Sequence, residues 1–86
     1  MPELSRFYGI VVKVYPDDHP PPHIHAKYGE HQAVIDIRQL ALSGGWLPLR
    51  AQSLVLDWAR LHQRELLEAW SLAQQSRPVF KIAPLE

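Results

Sequence analysis

The chain has 86 residues, nine basic and nine acidic side chains, no cysteine, and a 47% hydrophobic share. Such a chain makes one small folded domain, 1–86, and lacks the means for disulfides, thiolate zinc sites or thiol nucleophiles. A formal net charge of zero lacks the basic excess usual in proteins that bind nucleic acid through phosphates, so nucleic acid is not the favoured partner.

Residues 7–15 (FYGIVVKVY) are β-branched and aromatic and read as one strand. Tyr8, Ile10, Val12 and Val14 share one apolar side, with Lys13 on the other. Pro16 and Pro20, Pro21 and Pro22 then forbid regular pairing and make a stiff, extended connection. Residues 23–28 (HIHAKY) and 31–38 (HQAVIDIR) both alternate, and Gly29-Glu30 between them suits a two-residue type II′ hairpin turn. That turn sets a register in which Tyr28 faces His31, Ala26 faces Ala33, His25 faces Val34 and His23 faces Asp36. It also gathers Ile24, Ala26, Tyr28, Ala33, Ile35 and Ile37 onto one apolar face.

Residues 40–45 (LALSGG) read as a short further strand ending in a Gly-Gly turn. One long helix is expected from near Pro48, a good first-turn residue, to about Gln75, stopped by Arg77-Pro78. Its apolar arc collects Ala51, Leu54, Val55, Trp58, Ala59, Leu61, Leu66, Ala69, Leu72 and Ala73. Arg50, Ser53, Asp57, Arg60, Arg64, Glu68 and Ser71 lie opposite, as a solvated and salt-bridged face. The apolar tail at 79–85 (VFKIAPL) is expected to dock. The architecture is α+β: an antiparallel sheet of three to four strands packed on one long C-terminal helix, in two layers. No apolar run approaches the roughly 18 residues of a membrane span. Met1-Pro2-Glu3 does not open a signal peptide, so a cytoplasmic chain with no membrane partner is expected.

The stretch 17–26 (DDHPPPHIHA) carries the chemistry. His23 and His25, two apart on a strand, point away from Ile24 and Ala26, onto the sheet face that the helix does not cover. The register places Asp36 beside His23. If Tyr15 also pairs with His23, Lys13 lies beside His25. A carboxylate beside an imidazole fixes its tautomer and suits general acid–base catalysis, and a lysine can stabilise an anion such as phosphate. His23, Asp36, His25 and Lys13 are thus the candidate catalytic residues. The same segment could hold a divalent metal such as zinc, with His23 and His25 as two ligands, His19 or Asp36 as a third, and a position left for water. A plainer reading also stands: prolines stiffen a turn, and histidines are tolerated on a wet sheet face.

His62 and Glu65 are i, i+3 neighbours within the apolar arc and should pair with each other. They read as a structural pair near the core edge, or as a seat for another chain. Trp58 falls at the centre of the arc and Trp70 near its edge, where tryptophan also suits a protein interface.

With ELSRFYGIVVKVYPDDHPPPHIHAKYGE, DWARLHQRELLEAW and the closing KIAPL in view, the chain resembles the small bacterial and archaeal proteins grouped as domain of unknown function 4160. Ile24 stands where phenylalanine is usual, and Ala69 where asparagine is frequent. The motif positions carried over are His19, Pro21, Pro22, His23, His25 and Ala26, with Trp58, His62, Glu65 and Trp70. The resemblance implies no set activity and no established cofactor. It implies a small protein partner encoded nearby, hence an interaction or regulatory component of a two-gene, toxin–antitoxin-like system; the shortness of the chain separately suits support from a partner or from a second copy in a homodimer. The alternatives are a small hydrolase or ribonuclease-type toxin, and a divalent-metal-binding domain centred on His19, His23 and His25.

Overall fold

The run at 7–15 is not one strand but a strand end, a turn and a second strand. In the computed structural model, which describes residues 3–86, Tyr8 and Gly9 both adopt positive φ (49° and 81°). Two successive positive φ values are the mark of a type I′ turn, whose twist suits a tight hairpin. Phe7 therefore faces Ile10 across the turn, both buried, and Tyr8 projects outward. The first two residues of Met1-Pro2-Glu3, read as no signal peptide, lie outside the described residues.

Five strands result: β1 (Glu3–Phe7), β2 (Ile10–Lys13), β3 (His23–Tyr28), β4 (His31–Asp36) and β5 (Ala41–Gly45). They form one antiparallel sheet in the order β1-β2-β3-β4-β5, a meander in which each strand pairs with its sequence neighbours. The sheet thus has five strands where three to four are expected, because the Tyr8-Gly9 turn adds β1. The β3–β4 register is the expected one throughout, from Tyr28↔His31 to His23↔Asp36. At its turn Gly29 alone takes a positive φ, 59°, as the first position of a II′ turn requires. Alternation then sends Ile24, Ala26, Ala33, Ile35 and Ile37 into the core, whereas Tyr28 stays partly exposed.

The long helix is two helices, α1 (Leu49–Leu61) and α2 (Gln63–Gln74), broken at His62 (φ −119°, ψ 24°). Its amide reaches both the Trp58 and Ala59 carbonyls. Beside the break, the Gln63 amide donates to the Ile37 and Arg38 carbonyls (2.8 and 3.2 Å), tying the junction to the end of β4. Leu61, expected in the apolar arc, is 69% exposed. It lies past the margin of that arc, beyond half-buried Leu54.

Ala51, Val55, Trp58, Ala59, Leu66, Ala69, Trp70 and Ala73 line the buried side of the two helices and cover the apolar face of the sheet. This is the expected two-layer α+β arrangement. The helical segment ends where expected, at Gln74 with Gln75 as its cap, but what stops it is Ser76 rather than Arg77-Pro78. Ser76, in the left-handed region (φ 56°), lets Ser76 N–H reach the Ala73 carbonyl (3.0 Å) and Arg77 N–H the Leu72 carbonyl (2.9 Å), a Schellman ending. The tail docks: Ile82 N–H donates to the Leu4 carbonyl (2.8 Å), and Trp58 Nε1–H donates to the Ala83 carbonyl (2.8 Å).

Candidate metal centre

Val14, buried, ends the core-facing row of the first hairpin, and the chain then loops through Pro16 to Pro22 before re-entering the sheet as β3. Prolines cannot supply ladder N–H groups, so the loop is held from outside. The Gln74 amide, on the last turn of α2, donates to the Asp18 carbonyl (2.8 Å). That contact fixes Asp18 over the start of β3.

Asp18 is the carboxylate of the site. Its Oδ2 lies 3.1 Å from His23 Nε2 and 2.9 Å from His25 Nε2, and the three ligand-type atoms all fall within 4.8 Å of one another. The expected carboxylate, Asp36, stands opposite His23 in register but is otherwise engaged: its Oδ1 accepts the Gln39 N–H (2.8 Å) and caps the turn into β5. His19, the expected third histidine, is exposed and outside the cluster among the described residues. Sequence reasoning passed over Asp18 because it sits in an irregular loop, where alternation assigns no direction. The available signal was its place inside the proline-bounded stretch itself.

The His23 ring is clamped on both sides. Nδ1 lies 2.8 Å from the Pro21 carbonyl, which can only accept, so Nδ1 carries a proton. Nε2 points at a carboxylate, also an acceptor. Two kinds of bridge satisfy that geometry: a shared proton, carried by Nε2 or by Oδ2, or a cation between Nε2 and Oδ2. In the second, the Pro21 carbonyl acts as the outer partner that metal-bound histidines commonly have.

Of the two histidines, His25 faces as expected and His23 does not. His25 lies beside Lys13 in register, with Tyr15 edge-on to its ring (4.6 Å, 87°), and lines a cavity of about 200 Å³ on the open face of the sheet. His23 does not stand clear of the helical layer. Its ring packs against Trp70 of α2 (5.0 Å), leaving its side chain 16% exposed. Trp70 thereby joins the histidine site and also walls a cleft of about 730 Å³ with the three prolines, Arg38 and Gln74.

His62 and Glu65 close on each other, Nδ1 to Oε1 at 2.6 Å, with the His62 ring against Trp58 (5.5 Å). Among the described residues this pair shares no hydrogen bond or ion pair with Asp18, His23 or His25. It is a pair at the helix break and core edge.

Chemically, the cluster offers two imidazole nitrogens and one carboxylate oxygen. A first-row metal bound at about 2.0–2.2 Å in tetrahedral geometry holds its ligand atoms roughly 3.3–3.6 Å apart, a few tenths of an ångström beyond the 3.1 and 2.9 Å that separate Asp18 Oδ2 from the two imidazoles. Three protein ligands leave one or more positions for water or a substrate atom.

A family model described as Domain of unknown function (DUF4160) matches residues 9–71, a span that includes Asp18, His23, His25 and Trp70. No curated protein and no solved structure matches the chain.

Proposed function

The chain belongs to the DUF4160 family, whose description carries no activity, and from the site itself we propose that it is a divalent-metal-binding domain. Asp18 Oδ2, His23 Nε2 and His25 Nε2 are its ligands, and zinc suits a two-imidazole, one-carboxylate set. The observation that carries this reading is the convergence of those three atoms, with the second nitrogen of His23 already committed to the Pro21 carbonyl. Bound there, such an ion would supply an activated water, the starting point of hydrolytic chemistry. His25 opens toward solvent and His23 is backed by Trp70, so the set is braced on one side and accessible on the other.

Calorimetric titration of tag-free protein with zinc tests it. The expected result is one ion per chain, with affinity reduced at least tenfold in His23→Ala and in His25→Ala. Absence of saturable uptake, or uptake indifferent to both substitutions, refutes it.

A second reading is the partner-binding role in a two-gene, toxin–antitoxin-like system. The observation favouring it is a run of exposed apolar side chains at one end of the sheet. Tyr8, Trp46 and Leu49 are each more than half exposed, and Tyr8 and Tyr28 flank a cavity of about 280 Å³ with Pro48 and Leu54. Sizing the chain alone and with the product of the adjacent gene decides this reading. A chain that elutes unchanged beside that product removes it.

A further inference from the structure

The open face of β2 and β3 carries a second feature next to the histidines. The pairs Lys13↔His25 and Val11↔Lys27 are successive on this face, so Lys13 and Lys27 stand diagonally across a rectangle whose other corners are Val11 and His25. Diagonal neighbours of this kind are about 7–8 Å apart at the backbone, within mutual reach of long side chains. Neither ammonium has an acidic partner within ion-pair distance among the described residues. Two like charges brought together there repel, and an anion between them offsets that repulsion. The rectangle forms the floor of the cavity of about 200 Å³, with Gln32, opposite Lys27 on β4, supplying a neutral donor at its rim. That volume lies below the roughly 300–1,000 Å³ of sites for larger organic ligands, and suits a compact anion.

We propose that Lys13, Lys27 and Gln32 form a binding site for a tetrahedral oxyanion, the phosphoryl group of a small phosphate ester, set beside the metal ligand His25. The juxtaposition rests on the metal-binding reading, but the anion site stands or falls by itself. A phosphoryl group with three outward oxygens matches two separated ammonium groups and one amide, whereas a carboxylate has only two oxygens to offer. The fourth oxygen of the phosphate, the ester oxygen, would lie toward His25 and the carboxylate-bridged cluster.

The anion site is tested on metal-free protein by titrating inorganic phosphate into isotopically labelled chain, with chloride at matched ionic strength and acetate as controls, and following amide shifts. Saturable phosphate-specific shifts centred on Lys13, Lys27 and Gln32 are expected. Lys13→Ala and Lys27→Ala should each weaken binding at least fivefold, and Lys13→Arg should restore most of it. Shifts no larger than those from chloride, equal response to acetate, or full binding by both alanine variants would overturn the site. The juxtaposition is tested with cobalt-loaded protein, whose visible spectrum should change on phosphate addition in the wild type but not in the Lys13→Ala, Lys27→Ala double variant. An unchanged wild-type spectrum overturns the placement beside the metal. Failure of cobalt to bind, with lysine-dependent phosphate shifts intact, rejects the metal centre and supports the anion site.

Discussion

The imidazole of His23 rests 5.0 Å from the indole of Trp70, inclined at 47°, so the first residue of β3 and the middle of α2 are packed as one unit. Trp70 is itself only 7% exposed. Trp70→Ala should cost about 3–5 kcal/mol, the usual range for truncating a buried aromatic, and should also lower zinc affinity by releasing the His23 ring. Trp70→Phe should keep most of both. Urea unfolding midpoints and calorimetric affinities on the two variants check this.

The two aspartates make opposite predictions. Asp18→Asn replaces the bridging carboxylate with an amide of the same shape and should lower zinc affinity at least tenfold, about 1.4 kcal/mol. Asp36→Asn should leave zinc affinity within about twofold, since that side chain serves the Gln39 amide. A loss in Asp36→Asn with Asp18→Asn unaffected would return the carboxylate role to Asp36.

Metal should also stabilise the fold. At a free zinc concentration about 100 times the dissociation constant, linkage gives roughly 2.7 kcal/mol for a ligand that binds only the folded chain. Thermal unfolding with zinc and with excess chelator should show the wild-type midpoint rise with metal, and the Asp18→Asn midpoint stay nearly flat.

Two glycines with similar φ should respond differently. Gly29 (φ 59°) has open space where a Cβ would go, so Gly29→Ala should cost about 1–2 kcal/mol for the left-handed conformation alone. Gly45 (φ 71°) would drive a Cβ into the Gln32 carbonyl and to 2.8 Å from Ala33 Cα. Gly45→Ala should therefore cost distinctly more and disturb the β4–β5 pairing, visible as faster amide exchange at Trp46, whose N–H donates to Gln32 (2.9 Å).

Ser76 offers the reverse case. It occupies the left-handed C′ position of α2, where glycine is the usual residue. Ser76→Gly should stabilise the chain by about 0.5–1 kcal/mol, the left-handed relief less the added unfolded-state entropy. Denaturant unfolding with an unchanged slope would register this.

The β3–β4 hairpin was legible in the sequence because period-two alternation and the Gly29 turn are local and mutually reinforcing. The same rule failed at 7–15, where apolar residues run on through a turn and only Gly9 marks it. The helix break was illegible for a different reason. His62 continues the apolar arc, and what interrupts it is Gln63 bonding to carbonyls 26 and 25 residues away, a tertiary contact no local pattern carries. At the candidate centre, the hairpin register correctly put Asp36 opposite His23, and Lys13, placed beside His25 only on the condition of a further strand pairing, does lie there. Register could not say which carboxylate would close on the rings, because Asp18 is delivered by a loop whose shape depends on Gln74.

That last hydrogen bond joins positions 56 apart in the chain, in a fold whose strands otherwise pair only with their sequence neighbours. A meander closes short loops and can collapse early, whereas a link of that span must wait for the closing helix to arrive. The proposed metal ligands should accordingly come together late on the route to the native state, after the sheet has formed. Gln74→Ala should then hasten unfolding while leaving the refolding rate almost untouched, as a stopped-flow chevron would register.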